Sequence, residues 1–103
     1  LRAWVEDQLG RVVKLRSRPM FGGVGFYADD LFFGFLDRQG MLYFKVDDAS
    51  RPLYESHGME PFLAPGETMS TYYRVPEGLL EDPDELSRKI QGAVGAARRA
   101  KRR

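Results

Sequence analysis

With 103 residues, 43% of them hydrophobic and 30% charged, and a formal net charge of +1, the chain holds enough apolar content for one packed core. It is too short for a second domain and too near neutrality for an obligate nucleic-acid binder. The absence of cysteine excludes thiol nucleophiles, thiolate metal sites and a disulfide framework, and fits a reducing, cytoplasmic setting.

Leu1, Trp4, Val5 and Leu9 recur at helical spacing, and Gly10 follows where a left-handed cap belongs, predicting a short opening helix. From Val13 the period changes to two: Val13, Leu15 and Ser17 alternate with Lys14, Arg16 and Arg18, so one strand face is apolar and the other basic. Three more strands are predicted over 24–28, 31–37 and 41–46, joined by Asp29-Asp30 and by Arg38-Gln39-Gly40, which are connections of hairpin length. Strict alternation in the third strand puts Leu31, Phe33 and Phe35 on one face and Phe32 and Leu36 on the other. Both faces then call for cover: a helix can cover one, and the other is either shielded by a partner molecule or left with aromatics exposed on a small sheet.

Asp47 and Asp48 can each cap a following helix that carries Leu53, Tyr54 and His57 on one side and ends at Gly58. Strand character resumes over 69–75 and stops at Pro76. In DPDE at 82–85, Asp82 caps, Pro83 suits the first turn and Glu85 completes a capping box. Leu86, Ile90, Ala93, Val94 and Ala97 then form the apolar stripe of a terminal helix whose end, RRAKRR, is almost wholly basic. The longest apolar stretches, LFF at 31–33 and MLYF at 41–44, fall far short of the roughly 20 residues that span a bilayer. The opening LRAWVEDQL carries acids where a secretory leader would stay apolar. One domain over 1–103 without a membrane segment is expected.

The glycines of RPMFGGVGFY at 18–27 raise the question of a phosphate cradle, which requires glycines between a strand and a helix N-terminus. Here they lie between two strands, with no lysine-serine pair after them, so a bend or a close backbone crossing explains them better. His57 is the single histidine and has no cysteine or second histidine to complete a zinc set. Lys45, Asp47 and His57 are the least unsuitable acid-base candidates. Lys45 and Asp47 point the same way at a strand end, where an ordinary salt bridge suffices. No catalytic, cofactor-binding or metal-binding set is assigned.

Three blocks in this order, RPMFGGVGFY, LYFKVDDASRPLYESHGMEPF at 42–62 and YYRVPEGLLEDPDEL at 72–86, resemble the N-terminal domain of the TfoX/Sxy family over nearly the whole chain. The resemblance implies an α+β fold, an antiparallel β-sheet with helices packed on one side in a secretion-chaperone-like arrangement, in the order α-β-β-β-α-β-β-α. It also implies a non-enzymatic regulatory role, since the family's named members regulate natural competence with the cyclic-AMP receptor protein, through proteins that carry a further C-terminal domain. A stand-alone copy is expected here. The leading expectation is a cytoplasmic protein-interaction domain, binding a protein partner or forming a homodimer through Met20, Phe21, Gly22, Gly23, Tyr27, Phe32 and Tyr72. One alternative is a transcriptional co-regulator that contacts nucleic acid through Arg98, Arg99, Lys101, Arg102 and Arg103, joined by Lys14, Arg16 and Arg18; another is an enzyme acting on a small ligand through Lys45, Asp47 and His57.

Overall fold

The computed structural model describes residues 2–20, 22–62, 71–76 and 78–101. The elements are α1 (Arg2–Gly10), β1 (Leu15–Met20), β2 (Gly23–Ala28), β3 (Leu31–Leu36), β4 (Leu42–Lys45), α2 (Arg51–Ser56), β5 (Tyr72–Arg74), a single 3-10 turn (Leu79–Glu81) and α3 (Pro83–Lys101). The fold is α+β, with a five-stranded sheet in the order β1-β2-β3-β4-β5 and every neighbouring pair antiparallel. Four strands precede α2 and one follows it. Residue 69 and the rest of the predicted start of the last strand lie outside the described residues.

Local chemistry accounts for most of these boundaries. The Asp29-Asp30 turn between β2 and β3 has both residues at positive φ, 50° and 64°, as a two-residue hairpin matched to strand twist demands. Between β3 and β4, the Asp37 carboxylate accepts the Gln39 and Met41 backbone N–H groups at 2.9 and 2.8 Å, and Gly40 turns the chain at φ 87°. Asp82 caps α3, its Oδ1 accepting the Glu85 N–H at 3.2 Å. Two details of α1 differ from the sequence expectation. Gly10 belongs to the helix rather than to a left-handed cap, because the Val12 and Val13 N–H groups close back on the Leu9 carbonyl. Trp4 is 43% exposed, leaving Val5 and Leu9 as the buried pair.

The core lies between the sheet and α3, which packs over β3 and β4. Phe26, Phe33 and Phe44 meet Leu86 and Ile90 there, all essentially inaccessible to solvent. Each buried side chain of this size contributes about 1.5–3 kcal/mol relative to exposure. The predicted stripe of α3 is the buried one, with Ala96 added.

In β3 the alternation expected from sequence breaks. Phe26 and Tyr27 of β2 stand opposite Gly34 and Phe32, so Phe33 is an extra residue and the register shifts. This is a β-bulge. It turns Phe33, Gly34 and Leu36 toward the core and puts Phe35 with Phe32 on the outer face, correcting the placement of Phe35 with Leu31 and Phe33. Position 34 must be glycine here, since a Cβ would stand 2.5 Å from the Tyr43 carbonyl oxygen and 2.9 Å from the Phe44 ring.

Close approach also explains Gly23, where a Cβ would overlap the Leu36 carbonyl oxygen. Gly92, on the exposed side of α3, has nothing within 4 Å. Gly23→Ala is therefore expected to cost about 1–3 kcal/mol through forced strand separation, whereas Gly92→Ala is expected to stabilise by up to about 1 kcal/mol through helix propensity. Urea unfolding of the two variants checks this, and shifts of the same sign would contradict it.

Candidate functional site

Among the described residues no helix packs on the outer face of the sheet, and the strand registers decide what that face presents. On β1, Arg16, Arg18 and Met20 stand opposite Tyr27, Gly25 and Gly23 of β2. On β4, Tyr43 and Lys45 stand opposite Arg74 and Tyr72 of β5. With Phe32 and Phe35 from β3, the result is an aromatic field with cations along its borders.

The rings touch throughout. Phe32 and Phe35 are almost parallel, 3° apart in plane with centroids separated by 6.3 Å, and Phe35 lies 5.0 Å from Tyr43 at 18°. Tyr27 tilts against Phe32 at 5.2 Å, while Tyr72 and Phe62 meet Phe35 nearly edge-on at 5.5 and 5.1 Å. Such offset and edge contacts are the favoured aromatic geometries, so the rings hold one another in place. Phe62 is 41% exposed, and Tyr27, Phe32, Phe35, Tyr43 and Tyr72 are half-buried. A hollow of about 510 Å³ opens here, lined by Met20, Phe32, Phe35, Phe62, Tyr72 and Arg38 among others.

Gly25 shapes this hollow. A side chain there would press on the Phe32 ring at 2.9 Å and on the Met20 methyl at 3.1 Å, so the missing Cβ is what lets both lie down on the sheet. Gly22, at φ 81°, turns the chain between β1 and β2, and Arg38 lies across it, its Nε 3.1 Å from where a Cβ would be. The next helix after these glycines is α2, at Arg51. Each glycine is thus accounted for by a bend or a close contact.

The face carries charges of both signs, with cations in excess among the described residues. Lys45 holds its ammonium 4.8 Å from the Tyr72 centroid, and burial lowers its pKa. Arg16 pairs with Asp30 at 2.6 Å, with both side chains largely exposed, so the pair contributes little stability. Arg18 and Arg38 are exposed. The Tyr43 hydroxyl is pushed above its ordinary pKa first by burial and then by the carboxylates of Asp37 and Glu60, with Arg74 opposing.

Both edges of the sheet are guarded. β1 carries Arg16, Arg18 and Pro19, and charge and proline on an edge strand discourage strand addition. The free side of β5 is met by residues 60–62, through Phe62 N–H to the Tyr72 carbonyl and Arg74 N–H to the Glu60 carbonyl, both at 2.9 Å.

Among the sequence-predicted residues, Met20, Gly23, Tyr27, Phe32 and Tyr72 come together on this face, with Gly22 at its corner, and Arg16 and Arg18 border the same surface. Lys14 is exposed ahead of β1, and Arg98 and Lys101 are exposed on the last turns of α3. Phe21, Arg102 and Arg103 lie outside the described residues. Arg99 is exposed but engaged: its guanidinium binds Asp47, with Nε 2.8 Å from Oδ2. Phe35, Tyr43, Lys45 and Phe62 were missed as members of the face. The available signal was Gly34 within LFFGFL, since glycine inside a strand pattern marks a bulge.

The acid-base candidates do not converge. Lys45 lies on Tyr72, and Asp47 binds Arg99 rather than Lys45. The Nδ1 of the exposed His57 is 2.8 Å from the Leu53 carbonyl oxygen. His57 borders a separate hollow of about 240 Å³ with Leu53, Leu79, Asp82, Glu85 and Lys89, which neither Lys45 nor Asp47 reaches.

Among the described residues, the domain is α+β with one face of the sheet covered by helix and the other presenting aromatic side chains. Residues 7–97 match the family described as the TfoX N-terminal domain, so the chain belongs to that family. Comparison with curated proteins gives no match.

Asp47 joins β4, α2 and α3. Its Oδ1 accepts the Ala49 and Ser50 N–H groups at 3.1 and 2.9 Å and the Ser50 hydroxyl at 3.1 Å. Burial alone would raise its pKa, but the Ser50 N–H and the Arg99 guanidinium outweigh that and bring it from 3.8 to about 2. A depressed carboxylate contributes stability that is present above its unfolded value and lost as pH falls through the folded one. The stability gap between wild type and Asp47→Asn should therefore be full above about pH 4 and shrink toward pH 2. Thermal unfolding across that range measures it, and a gap independent of pH would show that Arg99 does not act through this charge.

Proposed function

We propose that this protein is a non-enzymatic regulatory domain that acts in the cytoplasm by binding a macromolecular ligand, and that the open face of its sheet is the contact surface. The observation that carries this reading is the contiguous field of Tyr27, Phe32, Phe35, Tyr43, Tyr72 and Phe62 on the side of the sheet away from α3. A small domain leaves so much aromatic surface in water at a cost, and such patches mark interaction sites. The guarded edges favour contact through the face over strand addition. Family membership supports a regulatory role, and the separation of Lys45, Asp47 and His57 speaks for binding over catalysis.

The test is complementation in the native host. Deleting the gene should alter a defined set of transcripts, wild type should restore them, and a Phe35→Ser/Tyr43→Ser variant should not, although its circular dichroism spectrum and gel-filtration volume match wild type. Full restoration by a folded face variant would place the working surface elsewhere.

A further inference from the structure

Deepening the reading above, and resting on it, we infer that the ligand of the open face is a single-stranded nucleic acid. Three features of the surface meet in that chemistry. The first is stacking aromatic area. Phe32, Phe35 and Tyr43 form a row of near-parallel rings, with 3° and 18° between neighbouring planes at 6.3 and 5.0 Å, and unpaired bases extend such rows by stacking on them whatever their sequence. Five strands about 4.8 Å apart give a platform roughly 20 Å across, room for a few extended nucleotides.

The second feature is the placement of charge. Arg16 and Arg18 stand along the β1 border, Arg38 at the β3–β4 turn, and Lys45 and Arg74 toward β5. Among the described residues, three carboxylates share this side. Asp30 is engaged by Arg16, the Asp37 carboxylate accepts two backbone N–H groups, and Glu60 lies near Tyr43. Arg18 and Arg38 make no ion pair among the described residues, and cations bordering an aromatic floor match a phosphate chain whose bases turn inward. The same borders weigh against a second copy of this chain seated face to face, since that would bring like charges together over an apolar contact.

The third feature is accessibility. In a duplex the bases are stacked on one another and shielded by both backbones, so a flat sheet face can reach them only in a single strand. The net charge of +1 argued against nucleic acid for the molecule as a whole. It does not describe this face, where the arginines and lysine outnumber the carboxylates among the described residues.

The experiment uses the full chain and fluorescein-labelled ten-nucleotide oligothymidylate, oligouridylate and a mixed-sequence duplex of equal length, followed by anisotropy at low and moderate salt. Saturable binding to the single strands is expected, at least about tenfold tighter than to the duplex, with the oligouridylate arm distinguishing RNA from DNA. The affinity should fall with salt by a slope of about 0.7 per phosphate neutralised. In wild-type amide spectra the largest shifts should fall on β2, β3 and β4. Phe35→Ser should weaken binding about tenfold, Arg18→Gln and Arg38→Gln should each lower the salt slope, and Arg98→Gln/Lys101→Gln should leave it unchanged.

Equal affinity for duplex, shifts confined to the end of α3, or no binding at low salt would overturn the inference. So would a dimer in light scattering whose interface occupies this face. If the oligonucleotides fail while the face variant still fails to complement, the surface stands and the ligand class falls. If the variant complements, both fall.

Discussion

The bulge in β3 is the constraint on which the two-sided character of this domain depends. A strand that alternated strictly through LFFGFL would send Phe35 into the core beside Phe33 and bring Leu36 out. The extra residue at Phe33 reverses the second half of the strand, so the core receives Phe33 and Leu36 and the outer face receives Phe32 and Phe35. Gly34 makes this sterically feasible, because β4 runs too close for any side chain at that point. Without that shift the outer aromatic field would lose Phe35, the ring that touches Phe32, Tyr43, Phe62 and Tyr72.

The opposite side of the sheet shows what such a field would look like if it were structural. There Phe26, Phe33 and Phe44 are fully inaccessible beneath α3, and tyrosine hydroxyls find partners, as Tyr73 does by donating to Glu55 at 2.9 Å. The outer rings are only half-buried and are bordered by arginines instead of aliphatic side chains. The difference between the two faces is one of cover, and cover is supplied on one side by the amphipathic stripe of α3.

Charged side chains follow the same division. Asp47 and Arg99, separated by 52 positions in the chain, meet where α3 passes β4 and α2, and so belong to the structure. Arg18 and Arg38 lie on the other side of the sheet, away from α3. A basic residue's role in this molecule is therefore set by which side of the sheet it stands on, and its position in a run of basic sequence says little about that. Arg99, within the RRAKRR cluster, is engaged by Asp47.

Local and periodic information was legible from the residues alone. The capping aspartate at 82, the apolar stripe of α3, the hairpin at Asp29-Asp30, the basic side of β1 and the use of glycines for bends all follow from interactions within a few residues, and sequence spacing records these. The family was legible too, in the order and spacing of the blocks RPMFGGVGFY, LYFKVDDASRPLYESHGMEPF and YYRVPEGLLEDPDEL. Tertiary structure alone decided which aromatics share a face, that the basic strand residues border that same face, and that Asp47 takes Arg99 in place of Lys45. Each of these depends on pairing between distant strands or on where a helix passes, and a one-residue register shift, invisible to local periodicity, reverses every side chain beyond it.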